Sequence, residues 1–164
     1  MQITYRKAKE TEAAALTKIG LLSKQYWQDA KEYLPVFEKE LTITPYYIKR
    51  NAVFVIETIE TKAPVGYFSI TEIPHDLHTA TALISHGFWL EHFYILPEHI
   101  KKGVGRQAIS FLKSYCKQYG IPFLYLFSDP HAKGFYDKMG VVYLGDSFSP
   151  IEGRRVPLYR LDVE

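Results

Sequence analysis

Hydrophobic and polar positions repeat along the chain with two periods, one typical of strands and one typical of helices. The places where one period gives way to the other mark the boundaries of the predicted elements. Strands are predicted where β-branched and aromatic residues cluster or alternate: Ile3–Lys7, Ala52–Thr58, Val65–Thr71, Leu90–Ile95, Ile121–Phe127, Val141–Leu144 and Arg155–Leu161. Helices are predicted where apolar residues recur at helical spacing: a first one capped by Thr11 with Ala15, Ile19, Leu22 and Tyr26 on its apolar face, Gln28–Lys39 interrupted by Pro35, Tyr46–Arg50, Val104–Tyr119 and His131–Met139.

This order predicts an α/β fold built on a mixed, twisted central sheet with helices on both faces. Short turns between successive strands favour antiparallel pairing. The strand–helix–strand unit from Leu90 to Phe127 instead predicts one parallel or splayed pair. Gly66, inside a strand, indicates a bulge or a close approach of another backbone.

Composition narrows the class of protein. The chain has 164 residues, 47% of them hydrophobic and 23% charged, which predicts one soluble domain spanning 1–164. A net charge of +2 is too small for a nucleic-acid-binding surface. The single cysteine, Cys116, the absence of an N-terminal apolar segment and the absence of a membrane-length apolar stretch favour a cytoplasmic protein away from the membrane. The aromatic fraction of 15% suggests cavity walls as well as core.

The segment most suggestive of chemistry is Lys101-Lys102-Gly103-Val104-Gly105-Arg106, which lies between a strand and the clearest helix. The first turn of a helix presents N–H groups without helical partners, and glycines allow a phosphate to approach the backbone. The nearby cations favour the same ligand, so the segment predicts a pyrophosphate site. The alternative is a plain strand-to-helix turn with solvated lysines.

The same glycines also fit a dinucleotide fingerprint, Gly103-x-Gly105-x-x-Ala108, with Asp129 near the position of a ribose-binding acid. An NAD-dependent oxidoreductase is therefore a competing interpretation. Two observations disfavour it: several residues separate the strand from the first glycine, and too little chain follows Gly105 to complete a nicotinamide-binding domain.

Two segments resemble motifs of the GNAT N-acetyltransferases. Leu90-Glu91-His92-Phe93-Tyr94-Ile95-Leu96-Pro97 followed by Lys102-Gly103-Val104-Gly105-Arg106 is similar to motif A, and Ala132-Lys133-Gly134-Phe135-Tyr136-Asp137-Lys138-Met139-Gly140 is similar to motif B. The chain departs from the family pattern at Ile100, in place of Gln or Arg, at Asp129, in place of a common Asn, and at Val141, in place of Phe. The predicted order of elements follows the family throughout.

The resemblance implies an acetyl-CoA-dependent N-acetyltransferase that uses acetyl-CoA as its acyl donor and needs no metal. The expected cofactor-binding residues are Phe93, Tyr94, Ile95, Lys101, Lys102, Gly103, Val104, Gly105, Arg106, Asp129, Ala132 and Phe135. Tyr136 corresponds to the acid that protonates the departing thiolate, or else it is a core aromatic. Glu91 corresponds to the general base, and partial burial in an apolar strand would make it more basic; the alternative is an exposed or salt-bridged glutamate.

The acceptor is the least determined part of the prediction. Aromatic residues expected to line its pocket are Tyr26, Trp27, Tyr33, Phe88 and Trp89, and Asp29, Glu32 and Glu72 are candidates to balance an ammonium group. A primary amine of a small molecule is expected, with a peptide amine as the alternative. A non-catalytic acyl-CoA-binding module is the second functional class, and exposed terminal strands are compatible with a homodimer.

Overall fold

The computed structural model describes residues 1–27, 32–79, 82–149, 151 and 153–164. The strands are β1 (Ile3–Lys7), β2 (Ala52–Thr58), β3 (Pro64–Ile73), β4 (Leu77–His78), β5 (Leu83–Ile84), β6 (Gly87–Ile95), β7 (Phe123–Phe127), β8 (Val142–Phe148) and β9 (Arg155–Asp162). The α-helices are α1 (Ala13–Gln25), α2 (Leu34–Leu41), α3 (Pro45–Arg50), α4 (Val104–Gln118) and α5 (Lys133–Lys138). The predicted strands and helices are present in the predicted order, and β4 and β5 are two short strands that the sequence did not predict.

Within the described residues the strands form a seven-stranded sheet in the order β1-β2-β3-β6-β7-β9-β8, with β4 and β5 in a separate two-stranded ribbon. The pairs β1–β2, β2–β3, β7–β9 and β8–β9 are antiparallel. β6 and β7 run parallel, with Trp89 opposite Tyr125. The fold is therefore the mixed α/β architecture that the sequence predicts, including its parallel pair.

The chain divides into two compact units. The first unit comprises Met1–Ile70 and His92–Gln107, and the second comprises Thr71–Glu91 and Ala108–Glu164. β6 and α4 each contribute residues to both units. The single domain expected over 1–164 stays a prediction.

The core of the first unit packs α1 and α3 on β2 and β3. Leu16 and Ile19 of α1 cluster with Val53, Val55 and Tyr67. The alternate residues of β2, Phe54 and Ile56, are also buried, so this strand is covered on both faces.

The first helix differs from its prediction. A 3₁₀ turn, Glu10–Glu12, precedes α1, and Thr11 does not cap the helix. The buried face of α1 is formed by small and branched residues: Ala13, Leu16, Ile19, Gly20 and Ser23. Leu22 and Tyr26, which we predicted on that face, are exposed.

Pro35 opens α2 instead of interrupting a helix, because proline fits the first helical turn, where no intrahelical N–H bond is needed. Part of the predicted Gln28–Lys39 segment, residues 28–31, lies outside the described residues. The third helix agrees with its prediction, and the Thr44 hydroxyl caps it by accepting a hydrogen bond from Tyr47 N–H.

The second unit contains most of α4, with α5 and strands β7, β8 and β9. Leu112 and Cys116 of α4 are fully buried, whereas Tyr119, predicted on the same face, is exposed. Gly120 ends the helix with a φ of +69°, as its position predicts. β8 forms one end of the sheet order and exposes Leu144 and Phe148; a homodimer through the terminal strands stays a prediction. Among the described helices, none has the length and apolarity needed to cross a membrane.

Candidate active site

The first unit holds the C-terminal half of β6, where Phe93, Tyr94 and Ile95 are half-buried. Phe93 meets the ring of Phe68 edge to face, at a centroid distance of 6.2 Å. Tyr94 lies on the other face of the strand, 5.9 Å from the ring of Tyr67. Successive side chains therefore pack on opposite faces of the strand. What Phe93, Tyr94 and Ile95 share is their extended backbone.

Gly66 on β3 brings a second backbone close to this segment. A β-carbon at Gly66 would lie 2.5 Å from the Tyr94 carbonyl oxygen and 3.2 Å from Ile95 Cα. The register between β2 and β3 also shifts here, next to the Ile56–Gly66 pair. Both features that the sequence indicated at Gly66, a bulge and a close approach, are present. Only glycine leaves room for this arrangement.

The loop after β6 turns through two left-handed residues. Lys101 has a φ of +64° and Gly103 a φ of +84°. Such a φ favours glycine, and a lysine there is uncommon. The loop ends where Gln107 N–H donates to Gly103 O (3.2 Å) and closes the first turn of α4.

This turn has the chemistry of an anion site. The N–H groups of a first helical turn lack partners within the helix, and they carry the positive end of its dipole. Lys101, Lys102 and Arg106 are exposed beside it, whereas Val104 is buried and anchors the helix. Gly105 is half-buried in the same turn. The predicted phosphate-binding residues of this segment thus lie together on one loop and one helical turn.

The second unit brings together the residues predicted from motif B. Asp129 follows β7 and caps a 3₁₀ turn, Pro130–Ala132, by accepting a hydrogen bond from His131 N–H (2.8 Å). The other carboxylate oxygen of Asp129 accepts from Arg154 Nη2 (3.2 Å). Ala132 N–H donates to Asp129 O (2.9 Å), and the chain then continues directly into α5.

Tyr136 on α5 is 7% exposed. Its ring lies 5.1 Å from that of Phe135 and 5.5 Å from that of Tyr159 on β9. No hydrogen bond joins its hydroxyl to any other part of the chain that the structure describes. Burial, then the negative charge of Asp129, raises the pKa of this phenol, so it stays protonated at neutral pH.

Tyr159 holds α5 against β9. Its hydroxyl donates to Asp137 (2.6 Å), and Asp137 also pairs with Lys133 at 3.1 Å. The hydrogen bond from Tyr159, then that from Lys133, lowers the pKa of Asp137. Neither Tyr159 nor Arg154 is among the site residues that the sequence predicts. The alternating burial of β9 could have indicated Tyr159, because a buried tyrosine hydroxyl normally has a partner.

Glu91 differs from one part of its prediction. The structure places it in the second unit as an exposed residue, so the expected partial burial is wrong. The next residue, His92, is buried instead, and its ring lies 5.5 Å from that of Tyr47. The strand alternation that buries His92 turns the adjacent side chain to the opposite face. The role of Glu91 as a base stays a prediction.

The predicted acceptor-pocket residues fall into two groups. Tyr26 and Trp27 meet edge to face in the first unit, at 4.8 Å, and Tyr33 packs on Phe37 there. Trp89 belongs to the second unit, where its ring is buried against Tyr125 and Phe127 and its N–H donates to Ser85 O. Phe88 beside it is half-buried. Asp29 lies outside the described residues. Within them, no cluster of three or more His, Cys, Asp or Glu side chains could hold a metal ion.

Comparison with known proteins identifies the family. The sequence profile of the acetyltransferase (GNAT) family matches residues 20–141. The chain belongs to the GNAT acetyltransferase family. The family carries out acetyl transfer, so the dinucleotide interpretation of Gly103 and Gly105 loses its support. A comparison with curated protein sequences gives no match.

Solved structures of GNAT proteins share the fold over nearly the whole chain. A GCN5-related N-acetyltransferase from Rhodopseudomonas palustris has a TM-score of 0.70 at 16% identity, covering 99% of this chain and 96% of its own. The PaiA N-acetyltransferase of Thermoplasma acidophilum, solved with coenzyme A, has a TM-score of 0.67 at 17% identity, covering 99% of both chains. YncA from Salmonella typhimurium, solved with acetyl-CoA, has a TM-score of 0.61 at 18% identity, covering 100% of this chain and 95% of its own.

Proposed function

We propose that this GNAT protein transfers the acetyl group of acetyl-CoA to a primary amine of a small molecule. Family membership supports acetyl transfer, and two proteins of the same fold have been solved with coenzyme A or acetyl-CoA. The observation that carries the choice of donor is the turn through Lys101 and Gly103 into α4, because its N–H groups and cations suit a pyrophosphate.

In this proposal the donor binds mainly to backbone. The first turn of α4 and its cations hold the phosphates. The backbone of Phe93 and Ile95 holds the pantetheine arm, and Ile95 N–H polarises the thioester carbonyl. Asp129, Ala132 and Phe135 are further proposed donor-binding residues. The proposed location is the cytoplasm, where Cys116 would remain a thiol; its burial raises the pKa to about 11.

The proposed reaction is a direct attack without a covalent enzyme intermediate. The amine nitrogen forms a bond to the thioester carbon, and the carbon–sulfur bond breaks. Glu91 accepts the proton that the amine loses, and Tyr136 donates a proton to the departing CoA thiolate. The buried, protonated phenol of Tyr136 supports the second role, and the exposure of Glu91 makes it accessible to a solvated ammonium group.

The acceptor is proposed from the aromatic residues of the first unit. Tyr26 is 44% exposed and Trp27 is half-buried, so both have ring surface available for contact. A protonated amine interacts favourably with such faces. A peptide N-terminus or a lysine side chain would use the same interaction and is the alternative acceptor.

Calorimetry followed by a turnover assay tests the proposal. We expect binding of CoA and acetyl-CoA but not of NAD, and release of CoA thiol with at least one member of a panel of small amines, amino acids and short peptides. Preference for the peptides would overturn the small-molecule assignment. Binding of acetyl-CoA without turnover on any amine would favour the acyl-CoA-binding module.

The base is tested separately with Glu91→Gln. Because a base must be ionised to accept a proton, we expect the variant to lose or displace the acidic limb of the pH–rate profile. A profile identical to that of the unmodified protein would remove Glu91 from the mechanism.

A further inference from the structure

β4 and β5 form a small ribbon in the second unit, on the connection between β3 and β6. The ribbon pairs Leu77 with Ile84 and His78 with Leu83. Leu77 is 48% exposed and Leu83 is 51% exposed, so these side chains bury little apolar surface. A two-stranded ribbon of this kind is at best marginally stable in water by itself. Its order therefore depends on individual hydrogen bonds.

A single carboxylate closes the base of the ribbon. Asp76 Oδ1 accepts a hydrogen bond from His86 N–H at 2.7 Å, and it lies 2.8 Å from His86 Nδ1, which donates to it when that nitrogen carries a proton. This pair, Asp76 and His86, is the clasp of the ribbon. The Asp76 side chain is 51% exposed and that of His86 is 72% exposed, so both exchange protons with solvent. Gly87 follows the clasp with a φ of +123°, a conformation that favours glycine.

The charge of the ribbon segment depends on histidine. Three of the six histidines of the chain, His75, His78 and His86, lie in residues 74–86, where Asp76 is the only other ionisable residue. The aspartate gives this segment a charge of −1 when the histidines are neutral, and three protonated histidines bring it to +2. Histidine in peptides titrates near about pH 6.5. The charge of the segment therefore changes sign within the physiological range.

The groups around the clasp determine the pH range in which both of its members are charged. The hydrogen bond from the His86 N–H, then that from the His86 ring, lowers the pKa of Asp76, and the charge of His78 acts in the same direction. The strands that carry the ribbon add two exposed carboxylates, Glu72 of β3 and Glu91 of β6. Asp76 is thus ionised at about pH 5, where an ordinary histidine is protonated. At higher pH the ring loses its charge, and the bond from the His86 N–H remains.

The clasp is joined to a buried tryptophan. Ser85, next to His86, accepts a hydrogen bond from the indole N–H of Trp89 at 2.8 Å. Trp89 is 6% exposed, and its ring lies 5.2 Å from that of Tyr125 and 5.1 Å from that of Phe127. Trp89 also lies opposite Tyr125 in the parallel pairing of β6 and β7. One side chain thus connects the end of the ribbon to the β6–β7 pair.

We propose that the Asp76–His86 clasp is a pH-sensitive switch: protonation of His86 closes the base of the ribbon, and loss of that proton loosens the ribbon and its hydrogen bond to Trp89. A hydrogen bond between two charged groups is stronger than one from a neutral donor, so protonation strengthens a contact that is already formed. An exposed pair shifts an equilibrium only a few-fold. A marginal ribbon responds to a shift of that size. The switch is independent of the proposed acetyl transfer.

Tryptophan fluorescence tests the switch in the full chain. Trp27→Phe leaves Trp89 as the single tryptophan. On this background we expect the emission of Trp89 to change in one transition near about pH 6.5. Asp76→Asn should reduce its amplitude about threefold, because the amide oxygen accepts the same hydrogen bonds without a charge. His86→Gln should abolish the transition.

His78→Gln is the matched control, because it removes a histidine of the same ribbon that lies outside the clasp, and it should retain most of the transition. A transition of unchanged amplitude in Asp76→Asn would mean that the protonated His86 ring quenches Trp89 without closing the ribbon, and it would overturn the proposal. A titration without any transition in the single-tryptophan protein would do the same. Melting temperatures show whether each variant is folded.

Hydrogen exchange of backbone amides, followed by NMR, measures the closure without fluorescence. Two amides report on it: His86 N–H at the base, and Ala82 N–H, which donates to the Thr79 hydroxyl at 2.9 Å within the ribbon. After correction for the intrinsic effect of pH, both should be protected about threefold more at about pH 5.5 than at about pH 8. In Asp76→Asn neither should change with pH. Equal protection at the two pH values, or a change at His86 alone, overturns the proposal.

Discussion

Two regions of the molecule differ in burial and in the groups through which they are expected to act: the loop Lys101–Arg106 of the first unit and the segment Asp129–Tyr136 of the second unit. The loop is exposed except for the buried Val104 and the half-buried Gly105, and its predicted ligand contacts come from backbone N–H groups and charged side chains. In the second segment Tyr136 is the buried residue, and the expected chemistry depends on the neighbours of its phenol. Substitutions in the two regions should therefore act on different quantities: donor affinity in the loop, and the rate of the chemical step around Tyr136.

The two regions also differ in which residues determine their structure: neighbours in the sequence for the loop, and residues distant in the sequence for Tyr136. The loop geometry is set by the left-handed φ of Lys101 and Gly103 and by the start of α4, all within a few residues. The environment of Tyr136 depends instead on Tyr159 of β9, whose ring lies 5.5 Å from that of Tyr136 although the two residues are far apart in sequence. A local element resists changes elsewhere, whereas a buried environment responds to any of its partners.

The largest effect is expected for Tyr136→Phe. Loss of the proton donor should lower kcat by about 100-fold, because general acid catalysis of this kind contributes at least that much. The affinity for acetyl-CoA should remain within about twofold, since the ring and its packing stay. Steady-state kinetics and calorimetry measure the two quantities.

Tyr119→Phe is the matched control for that change. It removes the same hydroxyl from a tyrosine directly after α4 that is 61% exposed. Its kcat should equal that of the unmodified protein. Equal activity of Tyr136→Phe and Tyr119→Phe would show that the phenol of Tyr136 takes no part in the reaction.

The second largest effect is expected for Gly66→Ala, which tests the backbone side of the comparison. The added β-carbon would overlap the Tyr94 carbonyl oxygen, so β3 and β6 must move apart. We expect a loss of about 2 kcal/mol in the free energy of unfolding, as for other overpacked sites. Denaturant unfolding measures it.

Gly134→Ala is the control for steric overlap. Gly134 lies in α5 with no atom within 4 Å of a β-carbon at that position. This substitution should be neutral or stabilise the protein by about 0.5 kcal/mol, because alanine favours a helix over glycine. Equal unfolding free energies for the two variants would contradict the close approach at Gly66.

A smaller effect is expected for Gly103→Ala in the loop. Alanine at a φ of +84° is strained by about 1 kcal/mol, and the altered turn should weaken acetyl-CoA binding about tenfold. Gly120→Ala carries a comparable strain at +69° after the other end of α4. It should lose similar stability and keep its affinity for acetyl-CoA. If both variants bind acetyl-CoA equally, the turn at Gly103 does not contribute to the donor site.

These regions also differ in how far the sequence predicts them. Motif A depends on residues near one another in the chain, and the close approach at Gly66 is marked by a glycine inside a predicted strand. The face of α1 was predicted wrongly because its buried residues include Ala13, Gly20 and Ser23, which a search for large apolar side chains overlooks. Glu91 is exposed although Trp89, on the same face of β6, is buried, so alternation along a strand fixes which residues share a face but not how far each one is covered.

The ion pair of Asp129 and Arg154 lies beyond sequence reasoning for a different reason. Arg154 precedes β9, and only the placement of that strand beside β7 brings it near the end of β7. Nothing in the residues around Arg154 distinguishes it from its neighbour Arg155, which is exposed with its guanidinium over the ring of Phe148. Long-range pairs of this kind become visible only when the sheet order is known.

The smallest effect is expected for Asp137→Asn and concerns the acid stability of the α5–β9 contact. The hydrogen bond from Tyr159, then that from Lys133, lowers the pKa of Asp137 in the folded protein. A lowered pKa stabilises the fold above the pKa of the unfolded chain, and this contribution disappears as the pH falls through the folded value. The melting temperature of the unmodified protein should therefore exceed that of Asp137→Asn at neutral pH, with a difference that shrinks below about pH 4.

Tyr159→Phe removes the same hydrogen bond from the other side. If this bond is the main cause of the lowered pKa, Tyr159→Phe should show a similarly reduced dependence of melting temperature on pH, and the double variant should add little to either change. Additive effects would instead assign the acid sensitivity to the ion pair between Lys133 and Asp137. Because that pair is exposed, its share should fall in high salt, whereas the hydrogen bond to the buried Tyr159 should persist.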